Sequence, residues 1–262
     1  MRVVPARNGW SWVRDGARLF VRSPVAWMVL IFSYYLLMSV VGAIPFIGPL
    51  LGVILVPAFA VSFMNIAREA DRGAPVRPML LFSGFRKHAP AVITLGGVYL
   101  LSLAGILGLS ALGDQGDLAR FLLAGRTPDP KSGMSGLFIA MLAYVPVLAA
   151  FWFSPALVGW EGLSAPKSIF FSFVAAWRNW APMIVYGLVI SAIVVGGTWI
   201  MLTVIQLMGV GAGGGRGGGA FVVFIFVPIV LAVVATVFAS FYACYRDVFP
   251  EYAPPTQEKQ DA

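Results

Sequence analysis

No Asp, Glu, Lys or Arg occurs from Ser23 to Ala67, a run of 45 residues. Further charge-free runs cover His88 to Gly113, Ser132 to Trp160, Asn179 to Gly215 and Gly217 to Tyr245. A spanning helix takes about 20 apolar residues. The first run therefore holds two spans and each of the others holds one. The fold expected is an all-α integral membrane protein with six transmembrane helices in a single membrane domain, residues 1–262. The charge content agrees: 11% of residues are charged, against about a quarter in soluble domains.

Basic residues near span ends set orientation. All but four of the 18 basic residues fall on one side of such a six-span layout; the exceptions are Arg120, Arg126, Lys131 and Arg216. Both termini are therefore expected in the cytoplasm. The first 24 residues are charged and lack an apolar core of their own, unlike a cleaved signal peptide. The net charge of +7 comes mainly from arginines beside spans, where anionic headgroups lie, so nucleic acid is not an expected partner. One cysteine, Cys244, cannot form an internal disulfide.

The charged segments carry a pattern of their own. Trp10–Pro24, Pro78–Pro90 and Pro166–Pro182 each combine basic or polar residues with aromatics, end at a proline and lead into apolar runs. The second run of each following pair contains Val-Pro, at Val56-Pro57, Val145-Pro146 and Val227-Pro228. The unit reads as an interfacial amphipathic helix followed by a transmembrane hairpin, repeated over about 10–73, 77–161 and 166–249. Three such hairpins could close around a pseudo-threefold axis. In the first segment Trp10, Val13, Ala17 and Phe20 share a helical face, with Arg14, Arg18 and Arg22 as a stripe beside it. Such a helix lies in the headgroup region with aromatics down and guanidiniums at phosphate level. Trp10, Arg14, Arg18, Arg22, Arg86, Lys87, Trp177 and Arg178 are the expected lipid contacts, and anionic phospholipid the expected partner.

The connections differ in character. Ile44-Pro45-Phe46-Ile47-Gly48-Pro49 has no polar side chain and either crosses to the outer interface or stops short of it as a re-entrant turn. Gly113 to Gly133 is polar and reads as an outside loop. Gly209 to Gly219 reads as a flexible linker, and residues 254–262 as a disordered tail. The prolines of the Val-Pro steps read as kinks. Ala104 and Gly108, and Ala192 and Gly196, have small-residue spacing that permits close helix contact.

Chemistry is sparse. No Asp, Glu, Lys, Arg or His lies in the middle of an expected span, which counts against an ion-coupled carrier. His88 stands without a Cys or His companion for zinc, so no metal, cofactor or catalytic residue is expected. Ser191 and Thr198 share a face of the fifth span and are the candidates for lining a pore. Acids recur where the second helix of each hairpin meets the cytoplasm: Arg68-Glu69 with Asp71, then Glu161, then Arg246-Asp247. These are expected to form structural ion pairs that lock interfacial helices to the bundle.

Gly9-Trp10-x-Trp12, Leu19-Phe20, Ser23-Pro24 with Trp27, Ile44-Pro45-x-Ile47-Gly48-Pro49, Asp71-Arg72-Gly73, Arg178-Asn179-Trp180 with Pro182, and Tyr242 to Phe249 resemble a family of uncharacterised proteobacterial inner-membrane proteins. More distantly, the chain is similar to the membrane domain attached to some bacterial glycerophosphodiester phosphodiesterases, without their catalytic domain. The resemblance implies a bacterial inner membrane and a link to lipids, and no reaction. The function expected is a non-enzymatic protein engaging lipid through its interfacial helices, as scaffold, envelope-homeostasis factor or lipid-handling subunit. The alternative is an uncoupled transporter or channel for a small or lipidic solute. An enzyme acting on lipid would need acids near His88, for which only Glu69 and Asp71 offer themselves.

Overall fold

The structure, a computed structural model, describes residues 1–125, 133–207 and 217–250. Among them are ten α-helices: α1 (Asn8–Arg22), α2 (Pro24–Gly42), α3 (Ile47–Asp71), α4 (Ala89–Asp114), α5 (Asp117–Ala124), α6 (Gly133–Trp152), α7 (Ser154–Gly159), α8 (Ala165–Arg178), α9 (Trp180–Leu207) and α10 (Gly217–Val248). No strand occurs among the described residues. Six helical segments are long and apolar enough to cross a membrane: Pro24–Gly42, Ile47–Asp71, Ala89–Asp114, Met134–Gly159, Trp180–Leu207 and Phe224–Val248.

Proline and glycine punctuate these helices. Ser23 separates α1 from α2, and Pro24 opens α2, where a missing amide hydrogen costs nothing. Pro57, Pro146 and Pro228 lie inside α3, α6 and α10, which continue through them. The second lead-in departs from expectation: Pro78–Phe85 is a 3-10 helix, not an amphipathic α-helix. The connection read as the loop Gly113–Gly133 contains the last two residues of α4 and the short helix α5; its residues 126–132 lie outside the described ones. Gly217 to Gly219, read as linker, already belong to α10. The remainder of that linker, and the tail 254–262, lie outside the described residues.

The chain forms two compact units. The first comprises Met1–Leu37, Ser62–Leu81 and the chain from Arg178 onward. Here α1 packs along α10 and the start of α9 through Gly9, Trp12, Val13, Gly16 and Leu19. A methyl group on Gly16 would come within 2.5 Å of the Thr236 carbonyl oxygen, and one on Gly9 within 2.7 Å of the Tyr186 nitrogen. The absence of side chains is what lets the backbones approach. A train of aromatic contacts runs through this core: Trp27 on Phe63, Phe63 on Phe238, Phe238 on Phe241, Phe241 on Tyr186 and Tyr186 on Trp12. The Tyr186 hydroxyl shares a 2.7 Å hydrogen bond with Ser240, meeting its polar requirement inside the core.

The second unit comprises Met38–Val61 and Phe82–Trp177. In it α4 packs against α6 and α7. Ala58, Val92, Leu95, Val158 and Ala165 form a buried cluster. Gly96 lies directly against the Ile54 backbone. The break between α6 and α7 is bridged by a side chain of α8. Ser172 Oγ accepts from the Phe153 amide at 2.9 Å and donates to the Ala149 carbonyl at 2.9 Å. Asp114 is 1% exposed. Its carboxylate accepts from the Gly116 and Leu118 amides, each at 2.9 Å, and so caps α5. Gly136 of α6 lies against it.

Candidate functional site

The densest polar constellation lies in the first unit, where the ends of α3 and α10 meet α1. It is built on two carboxylates. Asp71, the last residue of α3, accepts from Arg246 Nη1 at 2.6 Å and from the Tyr242 hydroxyl at 3.0 Å, both on α10. Arg22 of α1 approaches the same carboxylate at 3.4 Å. Its guanidinium also donates to the Ala70 and Asp71 carbonyls at 3.1 and 2.9 Å. Those carbonyls belong to the last turn of α3, where helical partners run out. Gly73 completes the end of α3. With φ +71° it lets its own amide reach the Ala70 carbonyl and the Ala74 amide reach the Glu69 carbonyl. This pair of bonds is the Schellman arrangement that glycine favours.

Asp247, near the end of α10, is the second anchor. It accepts from Asn8 Nδ2 at 2.6 Å and from the Trp12 indole at 2.9 Å, and it pairs with Arg2. The segment before α1 is held further by Asn179, which is buried. Its Oδ1 accepts from the Val4 amide at 2.9 Å, and its Nδ2 donates to the Arg2 carbonyl at 3.2 Å. Asp15 of α1 closes the network, at 3.3 Å from Arg18, 3.7 Å from Arg14 and 3.8 Å from Arg246. Each acid is matched by guanidinium, amide or indole donors aimed at it. Such a set holds helices in register; its oxygens are engaged in doing so.

Of the residues singled out from sequence, Asp71, Arg246, Arg22 and Asp247 meet in this network, and Arg14 and Arg18 join it through Asp15. Arg68 donates to Asn65 at 3.1 Å within α3, and Glu69 pairs with Arg72 at 3.4 Å. Glu161 follows α7 in the second unit and is half-buried. Arg2, Asn8, Trp12, Asn179 and Tyr242 also belong to the site and escaped the sequence reading. Trp12, Asn179 and Tyr242 had a visible signal, since each stands in one of the short motifs carrying the family resemblance.

The lipid-contact candidates divide by face. On α1 the inward arc is Gly9, Trp12, Val13, Gly16 and Leu19; of the face expected to meet lipid, Trp10 is exposed, Ala17 and Phe20 are half-buried and Val13 is buried. Val13 is buried against the bundle, whereas Trp10 is 54% exposed and Val21 is exposed. A face read by hydrophobicity alone skips the glycines, and here they mark the contact. Arg14, Arg18 and Arg22 lie outward of it, each about half-exposed or more. On α8 the buried side is Ala165, Ser168, Ser172, Ala175 and Ala176. Its outward side carries Phe170, Phe173 and Trp177, the last 70% exposed, with Lys167 and Arg178 also exposed. Arg86 and Lys87 are exposed between the 3-10 helix and α4. His88 next to them has φ +57°, and a methyl group on Gly162 would meet its ring at 2.9 Å. The imidazole therefore rests on the turn after α7.

Ser191 and Thr198 are exposed on α9, and the Thr198 hydroxyl donates to the Val194 carbonyl of its own helix at 2.8 Å. Among the described residues no three or more His, Cys, Asp or Glu side chains group as metal ligands would.

A probable inner membrane protein of Burkholderia thailandensis is 35% identical over 262 residues, covering 96% of this chain and 94% of that protein. The chain belongs to that protein's family. With six helices among the described residues fit to cross a bilayer, it is a multi-pass inner-membrane protein. Neither a family profile nor a solved structure matches it.

Proposed function

We propose that this inner-membrane protein is non-enzymatic and engages anionic phospholipid through the outward faces of α1 and α8, as a scaffold, envelope-homeostasis or lipid-handling component. One observation carries the reading. After each helix has buried one face, its other side still presents exposed aromatics beside basic residues: Trp10 with Arg14 and Arg18 on α1, and Trp177 with Lys167 and Arg178 on α8. A helix docked on protein needs no exposed tryptophan. One lying at the headgroup boundary gains from it, because indole sits well there and guanidinium reaches phosphate. The ion-pair network supports the same reading, since it fixes α1 beside the spans instead of leaving it free in water. A lipid link is also what the resemblance to the phosphodiesterase-attached membrane domain implies. In this reading the termini and both helices lie at the cytoplasmic leaflet, whose negative surface attracts basic segments.

The test uses the full chain in nanodiscs of phosphatidylcholine with and without phosphatidylglycerol. The anionic lipid should raise the apparent unfolding temperature of the native protein. It should do so less for the Arg14→Gln, Arg18→Gln, Arg178→Gln variant. A native protein indifferent to phosphatidylglycerol would sink the proposal.

A further inference from the structure

The turn between α2 and α3 is unlike the other connections in what it offers its surroundings. From Val40 to Val61 no side chain can form a hydrogen bond. Phe46, at the crest, is 92% exposed and has φ +61°. Ile44, Ile47 and Leu50 around it are exposed too. A turn in water commonly uses Asn, Asp, Ser or Gly at its strained positions. Here a phenylalanine occupies the left-handed region and its ring projects away from the protein.

The backbone of the turn is largely self-sufficient. The Ala43 amide bonds to Ser39, Ile44 to Val41, Ile47 to Pro45 and Gly48 to Ile44, at 2.7 to 3.1 Å. Pro45 and Pro49 have no amide hydrogen to satisfy. Irregular backbone is tolerated at membrane depth only when its polar groups are met from within the protein. Length points the same way. α2 has 19 residues, about 28 Å, close to the thickness of the hydrocarbon core. α4 has 26 residues, about 39 Å, and delivers Asp114, Gln115 and Asp117 at its far end. Val40 of α2 and Leu51 of α3, flanking the turn, are exposed as well, on helices long and apolar enough to cross a membrane.

We infer that the crest of the first hairpin, residues 43–50, is seated in lipid, below the headgroups, with Phe46 as its anchor. The occupant of this surface is the acyl and glycerol region of the bilayer. The crest does not reach water, and it does not dock on a second copy of the chain.

Spin labels on the full-length protein test this in liposomes of phosphatidylethanolamine and phosphatidylglycerol, in a Cys244→Ala background. Labels go on Phe46→Cys, on Ile44→Cys as a second position, and on Gln115→Cys as the polar comparison. At 46 and 44, collisions with oxygen should exceed those with a water-soluble nickel chelate, giving a positive depth parameter. At 115 the parameter should be negative. A negative parameter at both 46 and 44 would place the crest in water and overturn the inference. Immobile labels whose dipolar broadening grows with protein density would assign the surface to a second copy, and would overturn it equally.

Discussion

Single residues decide how closely these helices approach, and glycine is the clearest case. Gly16 faces the α10 backbone so closely that an added methyl group would strike a carbonyl oxygen and the Ser240 nitrogen, the latter at 2.8 Å. Gly16→Ala should therefore lower stability in mild detergent by about 1–3 kcal/mol, the usual range for overpacking. Gly108→Ala makes the opposite prediction. Nothing lies within 4 Å of that position, so the gain in helix propensity should leave the protein unchanged or firmer by about 0.5–1 kcal/mol. Thermal or denaturant midpoints of the two variants, read side by side, check both. The pair also explains a misreading of the sequence. Small-xxx-small spacing drew attention to Ala104 with Gly108 and Ala192 with Gly196, yet a methyl group on Gly108 or Gly196 would meet nothing. Tight contacts fall at other glycines, Gly9, Gly16, Gly96 and Gly136 among them. Spacing states that two backbones can meet on a face; it does not state which face has a neighbour. Charge was more legible, because a carboxylate at a span border needs a partner. Asp71→Ala strips Arg246, Tyr242 and Arg22 of their shared acceptor. It should cost about 1–3 kcal/mol, and less in an Arg246→Ala background, as a double-mutant cycle would register.

Whole elements were readable where hydrophobic length dominates and obscure where a local side chain intervenes. The six spans follow from run length, and each matches a helix in the structure. The split between α6 and α7 does not follow from it. Between Trp152 and Ser154 the chain leaves the helix, and the freed groups are taken up by Ser172, a residue far along the sequence. Its role depends on a contact that sequence periodicity does not encode. Ser172→Ala should leave the buried Phe153 amide without its acceptor, at about 1–3 kcal/mol. Hydrogen exchange should show the effect locally, with faster exchange at Phe153 and the flanking turns and little change in α1. Unaltered exchange at Phe153 would remove Ser172 from this role. The same distinction governs α1. Its existence as a helix was legible from apolar and basic periodicity, whereas the arc that packs on the bundle, Gly9, Trp12 and Gly16 among it, was not. The structure turns Trp10 outward and Trp12 inward, because Trp12 has Asp247 and Tyr186 to meet and Trp10 does not.

At the scale of the whole molecule, the open physical quantity is which side of the membrane the network of Asp71, Arg246 and Asp247 occupies. Length constrains the answer. α10 has 32 residues, about 48 Å, longer than the hydrocarbon core by roughly half. It must tilt or protrude, and its charged end carries Arg246 and Asp247 in ion pairs that require an aqueous or headgroup border. Arg22 at the end of α1 and Asp71 at the end of α3 share that border with Arg246. The arginines of this cluster are those that the basic-residue bias assigns to the cytoplasm. An orientation with this end outward would place Arg2, Arg14, Arg18, Arg22 and Arg246 together on the side where basic residues are rare. We therefore predict that alkaline phosphatase fused after Ala262 is inactive in intact cells and that a green fluorescent protein at the same place is bright. Phosphatase inserted at Gln115, beyond the far end of α4, should be active. Activity of the terminal fusion would reverse the orientation, and with it the claim that α1 meets the anionic cytoplasmic leaflet. The ion pairs would stand unaffected, because they depend on distances inside the protein and not on the side they face.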